Sequence, residues 1–498
     1  MSVSTQLRVA LRADASAEVG IGHIKRSLAL AQALRQCGAD VVLVTRAVDG
    51  VVGDCARQAA VSYVTLGPGD DAQASIEALR DFAPDRVVVD HYGLDAAWHR
   101  SVASALGCRI AAIDDLGDRP LDVDVLVDHN HADHARKYAG RLREGARLLV
   151  GPRFALLAPP YATAPRHVPR DRVESIGVFM GGTDPAATSA LVLRACRQEA
   201  GFAGRIEVAT TLANPRLAEL AAAVDRDAAT TLTIDAPDLA GFFARHDLQV
   251  GAGGGATWER CCLGAPTVLL ITAPNQYAVV PALVDLGAVV SPEPLGTLDA
   301  VAIGRAVAAV IDEPARRRQL AARSLDLVDG RGAQRVALAL NASALRVRPA
   351  TAEDSALAHV WRNHEATRRM SVDPAAIDEA GHQQWWQACL VAGDRRLLIG
   401  LVGDVPIGVT RVDRQANGAA VVSLYLDPAL HGLGLGTALL RAGEEAWCAQ
   451  AGREVTFEAT VLDTNAASKR LFAAAGYIQH APQRWRKALA IVSARTTP

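Results

Sequence analysis

The sequence predicts an α/β protein in three parts: two parallel-sheet lobes, then a smaller α/β domain. Three observations carry this reading. The chain has 498 residues, and at about 100–200 residues per domain that length suits about three domains. Its first half alternates short runs of branched residues with amphipathic segments, the pattern of a parallel sheet covered on both faces. The pattern then restarts twice, after the proline-rich passage Leu156–Arg170 and again near Ala344. The predicted boundaries are 1–160, 161–340 and 344–498.

Each element follows in turn. "LRVALRA" reads as a strand, and the glycine turn "GIGHIKR" (Gly20–Arg26) opens a long helix, "IKRSLALAQALRQCG". "ADVVLVTRA", "DRVVVDHYG", "RIAAIDD" and "DVLVDHN" continue the strands. Their polar residues gather at the ends, and in such sheets ligands lie beyond the carboxyl ends of the strands. The second lobe restarts with "SIGVFMGGTDPAATSALVLRAC", a strand, a glycine turn and a helix, followed by "LQVGAGGGATWERCCLGAPTVLL". Two Rossmann-like lobes facing a crevice describe a GT-B-type architecture.

Composition narrows the partners. Charges nearly cancel, at a formal net charge of -2, and aromatics make up only 4%. With no basic block interleaved with aromatics, neither a nucleic-acid groove nor an anionic membrane is expected. No uninterrupted apolar run of about 18 residues suggests a membrane span. The N-terminus lacks the apolar run of a signal peptide, so a soluble cytoplasmic protein is expected. None of the 8 cysteines forms a C-x-x-C pair, so no metal site is expected and the thiols read as reduced and buried.

The chemistry gathers at glycine turns. A strand, a glycine turn and a helix start make a natural anion site, because the first backbone N–H groups of the helix point at the ligand. Gly22 lets the backbone come close. His23 stands at the helix start, and an imidazole, titrating near pH ~6.5, can take a proton from water; a plain helix cap is the other reading. Lys25 or Arg26 can add charge near a phosphate, and Asp14 is either a site residue or a turn residue. In the second lobe, "MGGTDP" brings Gly181, Gly182, Thr183 and Asp184 to a helix start, suited to a diphosphate. "GAGGGATWER" brings Gly254, Thr257 and Glu259 to another. Glu259 can accept from ribose hydroxyls, or simply be favoured by the helix dipole.

The motifs "RADASAEVGIGHIKRSLALA", "DHYGLD", "MGGTD" and "PNQ" together resemble the UDP-sugar hydrolases of pseudaminic acid biosynthesis, over residues 7 to 340. The resemblance implies release of UDP from UDP-2,4-diacetamido-2,4,6-trideoxy-β-L-altropyranose, with inversion and without a metal. It makes His23 the general base, places Tyr92 and Asn275 at the sugar or water, puts Asp14 in the same site and gives Glu259 the ribose. A glycosidase normally needs a second carboxyl group to protonate its leaving group, but UDP leaves as a stable anion. One base and a set of amides can therefore suffice. His91 is a rival base, or a hydrogen-bonded structural histidine.

In the third part, "LYLDPALHGLGLGTALLRAGEEAW" runs from a strand through a glycine loop into a helix, and "TFEATVLDTNAASKRLFAAAGY" follows. These resemble the GNAT acyltransferases. The resemblance implies acetyl-CoA as acyl donor, held at Leu426, His431, Gly432, Leu433, Gly434, Leu435, Gly436, Thr437 and Asn465. His431 stands where the family pattern has Arg or Gln. Phe472 stands where many members have the tyrosine that protonates the thiolate, so the acid is unassigned, with Tyr425 and Tyr477 as candidates that can equally be core residues. Glu458 is a candidate base. "WRNHEATRRM" and "HQQWW" resemble the acetyltransferase of the same pathway, which implies a sugar-nucleotide pocket lined by Arg362, Asn363, His364 and His382. Trp385 and Trp386 read as core or interface. The two resemblances imply consecutive steps: N-acetylation of the 4-amine of UDP-4-amino-4,6-dideoxy-N-acetyl-β-L-altrosamine, then hydrolysis of the product. The alternatives are a glycosyltransferase of similar fold and a sugar-nucleotide-binding regulatory protein.

Overall fold

The computed structural model describes residues 6–15, 21–46, 50–130, 133–236, 239–451 and 455–489. Residues 16–20, including Gly20 of the first glycine turn, lie outside the described residues. The chain forms two compact units, one of residues 8–35 with 40–336, the other built chiefly of residues 337–498.

The first unit holds two parallel sheets. Strands β1 (Arg8–Ala13), β2 (Asp40–Thr45), β3 (Ser62–Thr65), β4 (Arg86–Asp90), β5 (Arg109–Ile113), β6 (Val125–Asp128) and β7 (Arg147–Val150) run in the order β3-β2-β1-β4-β5-β6-β7. Strands β8 (Ser175–Phe179), β9 (Arg205–Thr210), β10 (Thr230–Ile234), β11 (Leu248–Ala252) and β12 (Thr267–Leu270) run in the order β10-β9-β8-β11-β12. The runs of Val, Leu and Ile belong in such sheets because helices cover both faces. All five residues of β4 and all five of β8 and β11 are buried.

Both sheets reverse their strand order beside the first strand, and a crevice at such a switch point is where ligands bind. In the first sheet the register pairs Ala13 with Asp90. The chain leaving β1 therefore emerges next to Asp90, His91 and Tyr92. In the second, β11 pairs with β8, so the loops Met180–Pro185 and Gly253–Gly255 emerge side by side. The described residues of the glycine turns of the two lobes thus lie at the two switch points. One detail differs from expectation. The helix after "MGGTDP" starts at Thr188, because Asp184 turns its carboxylate back to accept from Thr188 and Ser189 N–H at 2.9 and 2.8 Å.

The second unit carries a seven-stranded mixed sheet. Its strands are β13 (Leu345–Pro349), β14 (Arg395–Val402), β15 (Val405–Arg414), β16 (Ala420–Leu426), β17 (Val455–Thr460), β18 (Ile478–Ala481) and β19 (Arg484–Leu489), in the order β13-β14-β15-β16-β17-β19-β18. Only β16 and β17 are parallel, and they pair only at Ala420↔Phe457 and Val421↔Glu458. Beyond that point they part. Trp386 is fully buried in this unit, with its indole N–H on the Thr351 carbonyl at 2.9 Å. Trp385 stands at the surface under the Arg411 guanidinium, 5.8 Å from the ring centroid. Trp386→Ala is expected to cost about 3–5 kcal/mol, read as a lower urea midpoint with unchanged steepness.

Among the described residues, no helix is long and apolar enough to cross a membrane.

Candidate functional site

The helix Gly22–Gln36 buries Ile24, Leu28, Ala31 and Leu34 on one face and sets His23 at its first turn over the end of β4. His23 Nδ1 lies 2.7 Å from Asp90 Oδ1 and 3.2 Å from the Asp90 carbonyl oxygen, so the ring donates from Nδ1 to Asp90 and its Nε2 is the nitrogen that can accept a proton. Burial alone would raise the Asp90 carboxyl. The charges of Arg26 and His23 and their hydrogen bonds outweigh it and hold Asp90 well below the usual carboxylate range. Tyr92 meets the His23 ring edge-on, with centroids 4.6 Å apart. Its phenol donates to Asp115, and burial and the Asp115 charge push its pKa up.

His91 directly follows the end of β4. Its Nδ1 accepts the Gly93 N–H at 3.0 Å, and its Nε2 faces Asp14 at 3.5 Å. Both ring nitrogens are committed. Asp14 is held by several donors. It takes both Nη atoms of buried Arg12 at 2.6 Å, the Arg46 N–H at 2.7 Å and Thr45 Oγ1 at 3.1 Å. It braces the ends of β1 and β2 and faces His91.

The second lobe faces this cluster. A cavity of about 450 Å³ is lined by Asp115, Arg136 and Lys137 from the first lobe and by Pro274, Asn275 and Ala278 from the second. Asn275 is exposed there, while its neighbour Gln276 is buried and accepts the Thr272 N–H at 2.8 Å. Glu259, in the first turn of the helix Ala256–Leu263, is half-buried. Burial raises its pKa, opposed by the charge of Lys25 across the crevice and a hydrogen bond from Tyr161. Side chains on Gly181 and Gly254 would meet no atom within 4 Å, so both turns present open backbone. Thr183 is half-buried in the first of them. Gly182 packs on Thr211, whose hydroxyl donates to the Gly182 carbonyl at 2.8 Å. Thr257 is buried with its hydroxyl on the Ala252 carbonyl at 3.4 Å.

Sequence reasoning gave no role to Asp90, Asp115 or His129 and set Arg26 near a phosphate. The structure instead commits Arg26 to Asp90, at 2.6 and 2.7 Å, and to Asp115, at 3.3 Å. His129 packs edge-on against Trp258 of the second lobe, with centroids 6.0 Å apart. Burial, helped by the Arg26 charge, pushes its pKa down to about 4. The signal was present for three of them: Asp90 ends β4, and Asp115 and His129 lie within two residues of the ends of β5 and β6.

In the second unit, Gly432 and Gly434 adopt left-handed backbone, with φ of 82° and 71°, before the helix Leu435–Ala451. That turn brings His431 to Thr437 over the place where β16 and β17 part. The leading amides of the helix, from Leu435, Gly436 and Thr437, have no carbonyl to bond within the helix, and Leu426 lies beyond the last β16–β17 pair. Leu433 is buried, and Asn465 caps the helix Ala466–Ala474 by accepting the Ser468 N–H at 2.9 Å. Glu458 sits at the parting point and accepts from Arg486 at 3.3 Å. Tyr477 is buried and donates to Glu444 at 2.6 Å, with Phe472 edge-on beside it. Tyr425 is half-buried, and burial pushes its phenol up against the opposing charges of Arg362 and Arg411.

Of the four residues expected around an acceptor, Asn363 is spent on the Ile377 backbone, at 2.6 and 2.9 Å. Exposed His364 caps a short helix through Ala366 N–H. Arg362 Nη2 holds the Asp373 carbonyl at 2.9 Å, while its Nη1 is buried without a partner. His382 is buried and stacked on Trp386, with Nδ1 facing Ser355 Oγ at 3.3 Å and Nε2 without a partner.

Comparisons with known proteins agree with this division. Residues 358–477 match the family model described as the acetyltransferase (GNAT) family. The chain is 24% identical to the UDP-2,4-diacetamido-2,4,6-trideoxy-β-L-altropyranose hydrolase of Campylobacter jejuni over 215 residues, 43% of this chain and 73% of the relative. It is 22% identical to the spore coat polysaccharide biosynthesis protein SpsG of Bacillus subtilis over 287 residues, 57% of this chain and 82% of that protein. Among solved structures, the S. aureus MnaA–UDP co-structure shares the fold, with a TM-score of 0.50 at 13% identity, covering 68% of this chain and 96% of that one. The chain thus joins two Rossmann-like lobes of the GT-B type, similar in sequence to a UDP-sugar hydrolase and to SpsG, to a C-terminal GNAT domain.

Proposed function

We propose that the protein is a bifunctional enzyme of sugar-nucleotide metabolism. In this reading the GNAT domain acetylates the 4-amine of UDP-4-amino-4,6-dideoxy-N-acetyl-β-L-altrosamine from acetyl-CoA. The two-lobed unit then hydrolyses UDP-2,4-diacetamido-2,4,6-trideoxy-β-L-altropyranose.

The observation that carries the hydrolytic half is the buried His23–Asp90 pair, with Nδ1 committed at 2.7 Å, at the first switch point. A histidine fixed in that tautomer presents a lone pair on Nε2. It takes a proton from water as the water oxygen bonds to C1 of the sugar. The C1–O bond breaks and its electron pair leaves with UDP. Attack opposite the leaving group inverts C1. The glycine turns at Gly181–Gly182 and Gly254 are suited to the diphosphate, Glu259 to the ribose, and Tyr92 and Asn275 to the sugar. Asp14 supports the site through His91 and the strand ends.

For acetyl transfer, the turn His431–Thr437 is suited to the pyrophosphate of acetyl-CoA. The amine nitrogen bonds to the thioester carbon, the C–S bond breaks, and the amine proton is lost, with Glu458 at the parting point as its acceptor directly or through water. Tethering two consecutive activities raises the local concentration of the intermediate.

The test supplies the UDP-linked 4-amino sugar with and without acetyl-CoA and follows free thiol and UDP together. Thiol first, then UDP only when acetyl-CoA is present, is expected. UDP without acetyl-CoA would show a hydrolase indifferent to the 4-acetyl group. Thiol without UDP would remove the hydrolase, and neither product would remove both assignments.

A further inference from the structure

We propose that Arg26 is the positioning residue of the hydrolytic site: one guanidinium holds both the carboxylate that orients His23 and the carboxylate that holds Tyr92. The inference rests on the reading of His23 as the base.

His23, Arg26 and Ser27 stand at i, i+3 and i+4 of one helix and share a face. Arg26 Nε and Nη2 grip Asp90 at 2.7 and 2.6 Å as a two-pronged fork, and Ser27 Oγ adds a contact at 3.4 Å. The remaining nitrogen, Nη1, reaches Asp115 at 3.3 Å. Asp115 in turn accepts from Tyr92, whose ring borders His23. Asp90 and the Arg26 side chain are 1% and 13% exposed, so water does little to loosen the set. With all three nitrogens on carboxylates, three of the five N–H donors of Arg26 are engaged. An ammonium is a point charge and cannot reproduce a fork plus a third contact.

The test uses the full chain with Arg26→Ala and Arg26→Lys. For UDP release, kcat is expected to fall about 100-fold in Arg26→Ala with KM within about threefold. Added guanidinium ion is expected to recover at least about tenfold of that loss, and Arg26→Lys to stay low. A wild-type rate in Arg26→Lys, or a rise in KM with kcat unchanged, would overturn the proposal, the latter by returning Arg26 to the substrate. A second readout needs no substrate. Nitrogen-15 histidine spectra, assigned with His23→Gln, are expected to show the Nδ1–H tautomer alone for His23 in the wild type and a mixture of tautomers in Arg26→Lys. A single unchanged tautomer in that variant would overturn the proposal even if the wild type released no UDP, an outcome that would itself count against the functional reading alone.

Discussion

His23→Ala is expected to yield a folded protein that still transfers acetyl groups and still binds UDP but releases UDP from the diacetamido sugar nucleotide about 10²–10⁴-fold more slowly. That range is what a positioned general base contributes. In the proposed reading the binding groups sit elsewhere, on the glycine turns and Glu259 of the second lobe, so calorimetric titration with UDP should return the wild-type affinity. His91→Gln is the matched control. Its ring is tied at both nitrogens to Gly93 and Asp14, and its loss is expected to cost far less than that of His23. Equal losses in the two variants would sink the assignment of the base.

The second large effect concerns acid. His99 is completely buried, and burial, reinforced by the Arg119 charge, pushes its pKa down to about 4. His129 is pushed down to the same value beside Arg26, with Asp115, Asp128 and Asp90 pulling the other way. An unfolded histidine takes its proton near pH ~6.5, whereas these two do so in the folded state only near 4. Protons therefore favour the unfolded chain throughout that window. The stability these groups confer is whole above about pH 6.5 and is lost as the pH falls toward 4, on the order of 3 kcal/mol for each. Below that, Asp71, held down to about 2 against burial by Arg12 and Arg46, begins a further loss. Urea melts of the full chain between pH 7.5 and 4.5, followed by tryptophan fluorescence, should show the midpoint falling. His99→Gln should flatten that slope. A midpoint constant across the range would contradict the burial argument.

What the sequence disclosed, and what it withheld, follows from the range of the interactions. Glycine turns before helices are local chemistry, and "GIGHIKR", "MGGTDP", "GAGGGATWER" and "HGLGLG" were each legible as such. Alternating strands and helices gave the lobes. The resemblance added His23, Tyr92 and Asn275, and the structure brings Tyr92 against His23 and Asn275 into the cavity shared with Asp115. Pairings across strands left no trace in the chain. Arg26 reaches Asp90 across 64 residues and Asp115 across 89, and nothing local distinguishes a guanidinium aimed at carboxylates from one aimed at a phosphate. For the same reason the pairing of Asp14 with Arg12, two residues before it, and with His91 was not legible in its motif. The parting of β16 and β17 was equally invisible, because it depends on where a ladder stops.

The register between β1 and β4 also bears on how the molecule comes to be made. Asp90 meets Ala13 only when the intervening chain, with β2, β3 and their helices, has been gathered in. Parallel pairing of this kind closes a long loop before any contact rewards it. The strands β13, β14, β15 and β16 pair antiparallel, and the turns linking β14, β15 and β16 are short. During synthesis or refolding, the sheet of the second unit has the quicker route, although its residues leave the ribosome later. His23 and Asp90, made earlier, must wait for each other across the chain between them.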